Sequence, residues 1–246
     1  MTEERNEQES ERQTAYTFIE RQKTEIARLC GARAAALEGD PVGTLLSPPP
    51  YFSAEFGYAG AIKTDYNCPK GFNCASAESM LNETVFSECR CIPEDAKFDI
   101  ISFRRIENRA TWERFRLHEH QVRQKFGALS PEAQAHSLAL VPPSHPWFTA
   151  LEAANGFSAA SKTRYLLHGT KAENLGSIST NGLAVNCAGG SSFYGRGVYF
   201  AQQSCKACQY TCKADALVSD DRIRSIIVCR VALGNISAIP EACPDR

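Results

Sequence analysis

The sequence predicts an α+β fold, on two observations. Short strand-like runs alternate irregularly with amphipathic helical runs, and the joints between them carry residues that cap helices and turn chains. Length adds a bound: 246 residues suffice for one well-cored domain plus an appendage.

Residues 1–38 read as a charged helical extension, rich in Glu, Gln, Arg and Ala, with Phe18, Ile19, Ile26 and Leu29 at roughly helical spacing. Gly31 interrupts the pattern, and no heptad persists long enough for a coiled coil. Residues 39–50 read as a linker, because Gly39-Asp40-Pro41 and Ser47-Pro48-Pro49-Pro50 remove backbone donors and push their predecessors out of helical angles. Residues 51–95 mix aromatic residues, glycines and cysteines without a clear period, which suggests a small irregular region of unassigned fold.

Residues 96–246 carry the sharper pattern. Phe98 to Phe103 reads as a strand, and Asn108 is placed to cap a helix with Trp112, Phe115, Val122 and Phe126 on one face, ending near Gly127. Ser130-Pro131-Glu132 begins another helix, with proline tolerated at its first position; Pro142-Pro143 limits it before a short aromatic helix around Trp147. Arg164 to His168 is expected to be a buried strand, Ala172, Leu175 and Ile178 a helix face, and Gly197–Ala201 and Ile223–Leu233 two further strands.

Charge and cysteine content narrow the function classes. The formal net charge is −1, without the basic footprint that nucleic-acid or anionic-membrane binding usually requires, so a small diffusible substrate fits better. Residues 1–22 are polar where a secretory signal needs an apolar core, and no long uninterrupted apolar run occurs, so the protein is expected to be intracellular, in nucleus or cytoplasm. In that setting the 11 cysteines are thiols or metal ligands rather than a disulfide framework, and the sequons at Asn82 and Asn235 are chance matches.

Three features follow one another in the second half: His168-Gly169-Thr170 at a strand end, Tyr194-Gly195-Arg196-Gly197-Val198-Tyr199-Phe200-Ala201, and Tyr210 on the following helix. Together, in order and spacing, they resemble the NAD+ site of the poly(ADP-ribose) polymerase family, and Arg105-Ile106-Glu107-Asn108 with Trp112 resembles the opening of that family's catalytic domain. The resemblance covers about residues 95–237 and implies an ADP-ribosyltransferase-like split antiparallel sheet with flanking helices. It implies transfer of ADP-ribose from NAD+ to protein acceptors with release of nicotinamide, with His168 and Tyr199 catalytic. The residues it implies for NAD+ binding are His168, Gly169, Thr170, Asn174, Tyr199, Phe200, Ala201 and Tyr210.

The chemistry of these residue types suits the implied roles. A strand-end glycine lets a ligand approach backbone groups that can pair with a planar carboxamide, which is the place for Gly169. An imidazole beside it can orient a ribose by hydrogen bonding, and two tyrosine rings can wall a cationic pyridinium. The Asn174 amide can donate and accept on the adenosine side. Ala207 stands where the family often has a serine whose hydroxyl bonds the carboxamide, a difference of about 0.5–1.5 kcal/mol.

Oxocarbenium character at the sugar calls for a carboxylate, which the family places on a later strand than any found here; the sequence is therefore expected to stop short of that strand, and Glu241 does not fill the role. The alternative is a catalytically inactive module of the same fold that binds NAD+ or a protein partner.

No metal site is expected for the reaction. Cys205, Cys208 and Cys212 share one helical face and read as small packing residues, whereas Cys68, Cys74, Cys89 and Cys91 are candidates for zinc despite irregular spacing. His118-Glu119-His120 reads as a solvated helix face, and Arg104, Arg105, Arg109, Arg114 and Arg116, interleaved with Glu107 and Glu113, as a mixed surface.

Overall fold

The computed structural model describes residues 45–49, 52, 61–63, 73–87, 97–155, 157, 159–185, 195–211 and 223–237. In chain order the elements are β1 (Ala61–Lys63), α1 (Cys74–Glu83), β2 (Arg105–Glu107), α2 (Arg109–Gly127), α3 (Pro131–Ala139), α4 (Pro146–Ala154), β3 (Thr163–Thr170), α5 (Leu175–Asn181), α6 (Ser204–Cys208) and β4 (Ser225–Ala232). Single 3-10 turns stand at Ala159–Ser161 and Ala172–Asn174. β1 pairs with β2 and β3 with β4, both antiparallel, so the described strands form two separate sheets with helices around them, an α+β arrangement.

β3 is the axis of the apolar core. Burial alternates along it, with Thr163, Tyr165, Leu167 and Gly169 on the buried side, as a period-2 strand requires. Tyr165 and Leu167 cluster there with Met80 of α1, Phe148 of α4 and Ala207 of α6. Phe157 stacks against Tyr165 with ring centroids 4.8 Å apart. Complete burial of Leu167 stabilises the fold by about 1.5–3 kcal/mol.

The opposite flank is held by charge. Glu119 of α2 is buried and accepts hydrogen bonds from Thr163 Oγ1 at 2.7 Å, Ser161 Oγ at 3.2 Å and Arg230 of β4 at 3.2 Å. Arg116 also pairs with it, and Arg123 lies at 3.7 Å. The Arg230 guanidinium sits over three rings, 4.1 Å from the Phe157 centroid, 5.1 Å from Phe115 and 5.3 Å from Trp112. Burial alone would push the Glu119 carboxyl up, but the Thr163 hydrogen bond and the guanidinium groups of Arg230, Arg116 and Arg123 outweigh it and hold it below the usual range.

The helix starts follow their sequence signals. Asn108 Oδ1 caps α2 by accepting from the Thr111 N–H at 2.8 Å, and its Nδ2 donates to the Ser179 carbonyl at 2.9 Å, tying α2 to α5. Ser130 caps α3 ahead of Pro131, and His145 caps α4 ahead of Pro146. Residues 45–49, within the proline-punctuated stretch, lie against α2: Leu46 packs on Leu117, Arg116 donates to the Leu45 carbonyl at 3.0 Å, and Trp112 Nε1 donates to the Ser47 carbonyl at 3.0 Å.

Several expectations are corrected. Phe98 to Phe103 is not a strand; β2 begins only at Arg105. The reason is local: the Asn82 side chain takes both backbone groups of Phe98, accepting from its N–H at 2.8 Å and donating to its carbonyl at 3.0 Å, while Glu78 accepts from the Ile100 N–H at 2.9 Å. The region expected to be irregular contains α1, whose start carries a reciprocal capping box between Asn73 and Ser76. Of the expected Gly197–Ala201 strand, a single bridge forms, Leu167 to Ala201.

The surface expected around His118-Glu119-His120 is also wrong at its centre, because Glu119 is buried by its partners on β3 and β4. Glu107 and Glu113, read as parts of a mixed surface, are buried too, beside Arg105 and Arg109. The aromatic face of α2 is only half-buried, and its fully buried side chains are Glu113, Leu117 and Glu119. The helical extension 1–38, Cys68, Cys89, Cys91, Cys212, Tyr194 and Glu241 lie outside the described residues.

Candidate functional site

β3 ends in His168-Gly169-Thr170, and the chain returns beside it at Tyr199-Phe200-Ala201. Leu167 and Ala201 exchange both backbone hydrogen bonds at 2.8 Å. The Leu167 backbone groups therefore face Ala201 rather than β4, and by the alternation of an antiparallel ladder so do those of Gly169. Gly169 thus presents its N–H and C=O to the side of the strand where Tyr199 and Phe200 lie.

His168 is oriented by the same return. Its Nδ1 lies 2.9 Å from the Tyr199 carbonyl oxygen, which can only accept, so Nδ1 carries the proton. In the neutral ring this leaves Nε2 with its lone pair as an acceptor. The Phe200 ring lies 5.9 Å from the imidazole, tilted by 60°. The Tyr199 hydroxyl donates to the Gly195 carbonyl at 2.7 Å, four residues back in the chain. Gly195 has φ +84°, a conformation that favours glycine, and this turn brings its carbonyl within reach of the phenol.

Gly169 is required for a reason the sequence did not reveal. A Cβ built on it would stand 1.7 Å from the Ala207 carbonyl oxygen, so the backbone of α6 fills the space where a side chain would lie. The glycine thus serves close helix–strand packing. Ala207 itself belongs to the apolar cluster around Leu167.

Thr170 is buried, and its Oγ1 lies 3.4 Å from Asn174 Nδ2, a long contact that joins the strand end to the following 3-10 turn. Tyr210, expected on the following helix, stands beyond it: α6 ends at Cys208 with Gln209 as its cap, and the Tyr210 N–H donates to the Ala207 carbonyl at 3.1 Å. The residue is 47% exposed, with the Lys206 ammonium 5.7 Å from the ring centroid. His168, Gly169, Thr170, Asn174, Tyr199, Phe200 and Ala201 are thus brought together at one end of β3, and Tyr210 stands half-exposed just beyond α6.

The sequence reading missed the Gly195 carbonyl as the partner of Tyr199 and the Ala207 carbonyl as the neighbour of Gly169. A signal existed for the first, since Gly195-Arg196-Gly197 marks a turn. None existed for the second, which depends on how α6 returns to β3.

Cys205 and Cys208 are buried on α6, where Cys205 Sγ accepts from the Phe86 N–H at 3.3 Å, in keeping with their reading as packing residues; burial pushes the Cys229 thiol up to about 12, so that group is held as the neutral thiol. Cys74, the zinc candidate among the described residues, is an exposed free thiol, and no cluster of three or more His, Cys, Asp or Glu suited to a metal occurs among the described residues. No described helix is long and apolar enough to cross a membrane.

Comparison with known families gives a match over residues 79–243 to the family described as Poly(ADP-ribose) polymerase catalytic domain; the match starts within α1 and takes in β3, β4 and the whole candidate site. No curated protein matches the chain.

Proposed function

Since this chain belongs to the poly(ADP-ribose) polymerase catalytic-domain family, whose members use NAD+ as substrate, we propose that it transfers ADP-ribose from NAD+ to protein side chains and releases nicotinamide. The observation that carries this reading is the end of β3, where a histidine with its proton fixed on Nδ1 stands next to a glycine whose backbone groups face the same side.

In this reading His168 accepts a hydrogen bond from a ribose hydroxyl through Nε2 and orients the sugar, rather than abstracting a proton from it. The Gly169 N–H and C=O pair with the carboxamide, and the Tyr199 and Tyr210 rings wall the pyridinium. Thr170, Phe200, Ala201 and Asn174 complete the pocket around NAD+, with Asn174 toward the adenosine. The bond from the ribose C1 carbon to the nicotinamide nitrogen breaks with its electron pair going to the ring, and an acceptor side chain forms the new bond at C1 and loses its proton.

Glu107, Glu113, Glu119 and Glu152 pair with Arg105, Arg109, Arg230 and Arg164, so none of these buried carboxylates is assigned to the positive charge that develops on the sugar. The residues named here bind and orient NAD+.

The test is nicotinamide release together with protein labelling from labelled NAD+. His168→Ala and Tyr199→Ala are expected to lose both, and equal labelling by wild type and the two variants would refute the assignment. Calorimetric binding of NAD+ with no nicotinamide released by the wild type would replace the transferase with the inactive binding module.

A further inference from the structure

We propose that the Tyr199 hydroxyl is a positioning group for His168. Two hydrogen bonds in series support this. The hydroxyl donates to the Gly195 carbonyl at 2.7 Å, and the carbonyl of the same tyrosine accepts from His168 Nδ1 at 2.9 Å. The first bond fixes one end of a short segment by closing it on the glycine turn at φ +84°. On the other side Ala201 is fixed by its paired bonds to Leu167 at 2.8 Å. The Tyr199 carbonyl lies between these two anchors, and its position decides which imidazole nitrogen keeps the proton.

The consequence concerns the tautomer. With the latch closed, the neutral His168 ring holds its proton on Nδ1 and offers Nε2 as an acceptor. With the latch open, the Tyr199 carbonyl is free to move off Nδ1, and the proton is free to pass to Nε2, where it would meet a hydroxyl as a donor. The phenol ring and the phenol hydroxyl of Tyr199 therefore have separable tasks: the ring faces the ligand, and the hydroxyl acts through His168.

The inference about the tautomer stands on the geometry alone; its effect on turnover rests on the reading of the site as an NAD+ site. The test uses Tyr199→Phe in the full chain, which keeps the ring and removes the latch, beside Tyr199→Leu, which removes both. Long-range proton–nitrogen correlation spectra of 15N-labelled protein are expected to show His168 as the Nδ1–H tautomer in the wild type and a shift toward Nε2–H in Tyr199→Phe. Kinetically, Tyr199→Phe is expected to raise KM for NAD+ about two- to tenfold, the factor carried by one neutral hydrogen bond. A lower folded fraction would instead reduce kcat and leave KM unchanged.

Tyr199→Leu is expected to raise KM further, because the ring is lost as well. An unchanged His168 signature in Tyr199→Phe would overturn the proposal. A shifted signature in a protein whose wild type releases no nicotinamide would uphold the latch and refute the transferase.

Discussion

At its Thr163 end, β3 is clamped by a buried carboxylate and the guanidinium groups around it, whereas at its Thr170 end it is joined to its surroundings by single hydrogen bonds, His168 to the Tyr199 carbonyl and Asn174 to Thr170. The polar groups at the first end are committed to one another. At the second end the arrangement orients groups without using them all, since among the described residues Nε2 of His168 has no hydrogen-bond partner. The first end is thus held by a charge network that costs several kcal/mol to break by removing one partner.

The sharpest way to break this contrast is Glu119→Ala. Removing the buried carboxylate leaves the half-buried Arg230 and Arg116 without their anion, and the expected loss is about 3–5 kcal/mol in urea unfolding. A loss under about 1 kcal/mol would mean that the aromatic rings around Arg230 hold the strand without the ion pair. Gly169→Ala comes next. The new methyl group meets the Ala207 carbonyl at 1.7 Å, so α6 must shift away, with an expected cost of about 1–3 kcal/mol and loss of NAD+ turnover.

Acid probes the same clamp more gently. The Glu119 carboxyl is held below its ordinary value of 4.5, so its stabilisation is complete above that pH and drains away as pH falls through the lowered value of the folded protein. The melting temperature is expected to fall more steeply in wild type than in Glu119→Gln below about pH 4.5, and parallel curves would remove Glu119 from the acid response. The smallest effect belongs to Asn174→Ala: its contact with Thr170 is 3.4 Å long, so stability should change by less than about 0.5 kcal/mol. An increase in KM for NAD+ without that loss would support its place at the adenosine side.

The parts of this fold that were legible in the sequence are those fixed by neighbouring residues. Asn108, Ser130-Pro131 and the apolar run from Tyr165 to Leu167 act within a few positions of themselves, and α2, α3 and β3 stand where they point. Glu119 was illegible because a glutamate in a helical pattern reads as a solvent position; only the approach of Thr163 and Arg230, from distant parts of the chain, makes it interior. The strand expected at Phe98 failed for a similar reason, since the side chain that takes its backbone bonds belongs to another helix.

The residues around β3's end could be read from motif and spacing, and the structure brings His168, Gly169 and Tyr199–Ala201 together. Their hydrogen bonds could not be read. A backbone carbonyl has no side-chain letter, and the acceptors that matter here, at Gly195 and Tyr199, are both backbone carbonyls.

The clasp between Asn82 and Phe98 also bears on covalent modification. Asn82-Glu83-Thr84 spells an acceptor site for an N-linked glycan, and the Asn82 amide nitrogen donates both to the Glu78 carbonyl at 2.9 Å and to the Phe98 carbonyl at 3.0 Å. A sugar on that nitrogen replaces one of its two hydrogens and forces the chain off it, so a glycosylated Asn82 and a closed clasp exclude one another.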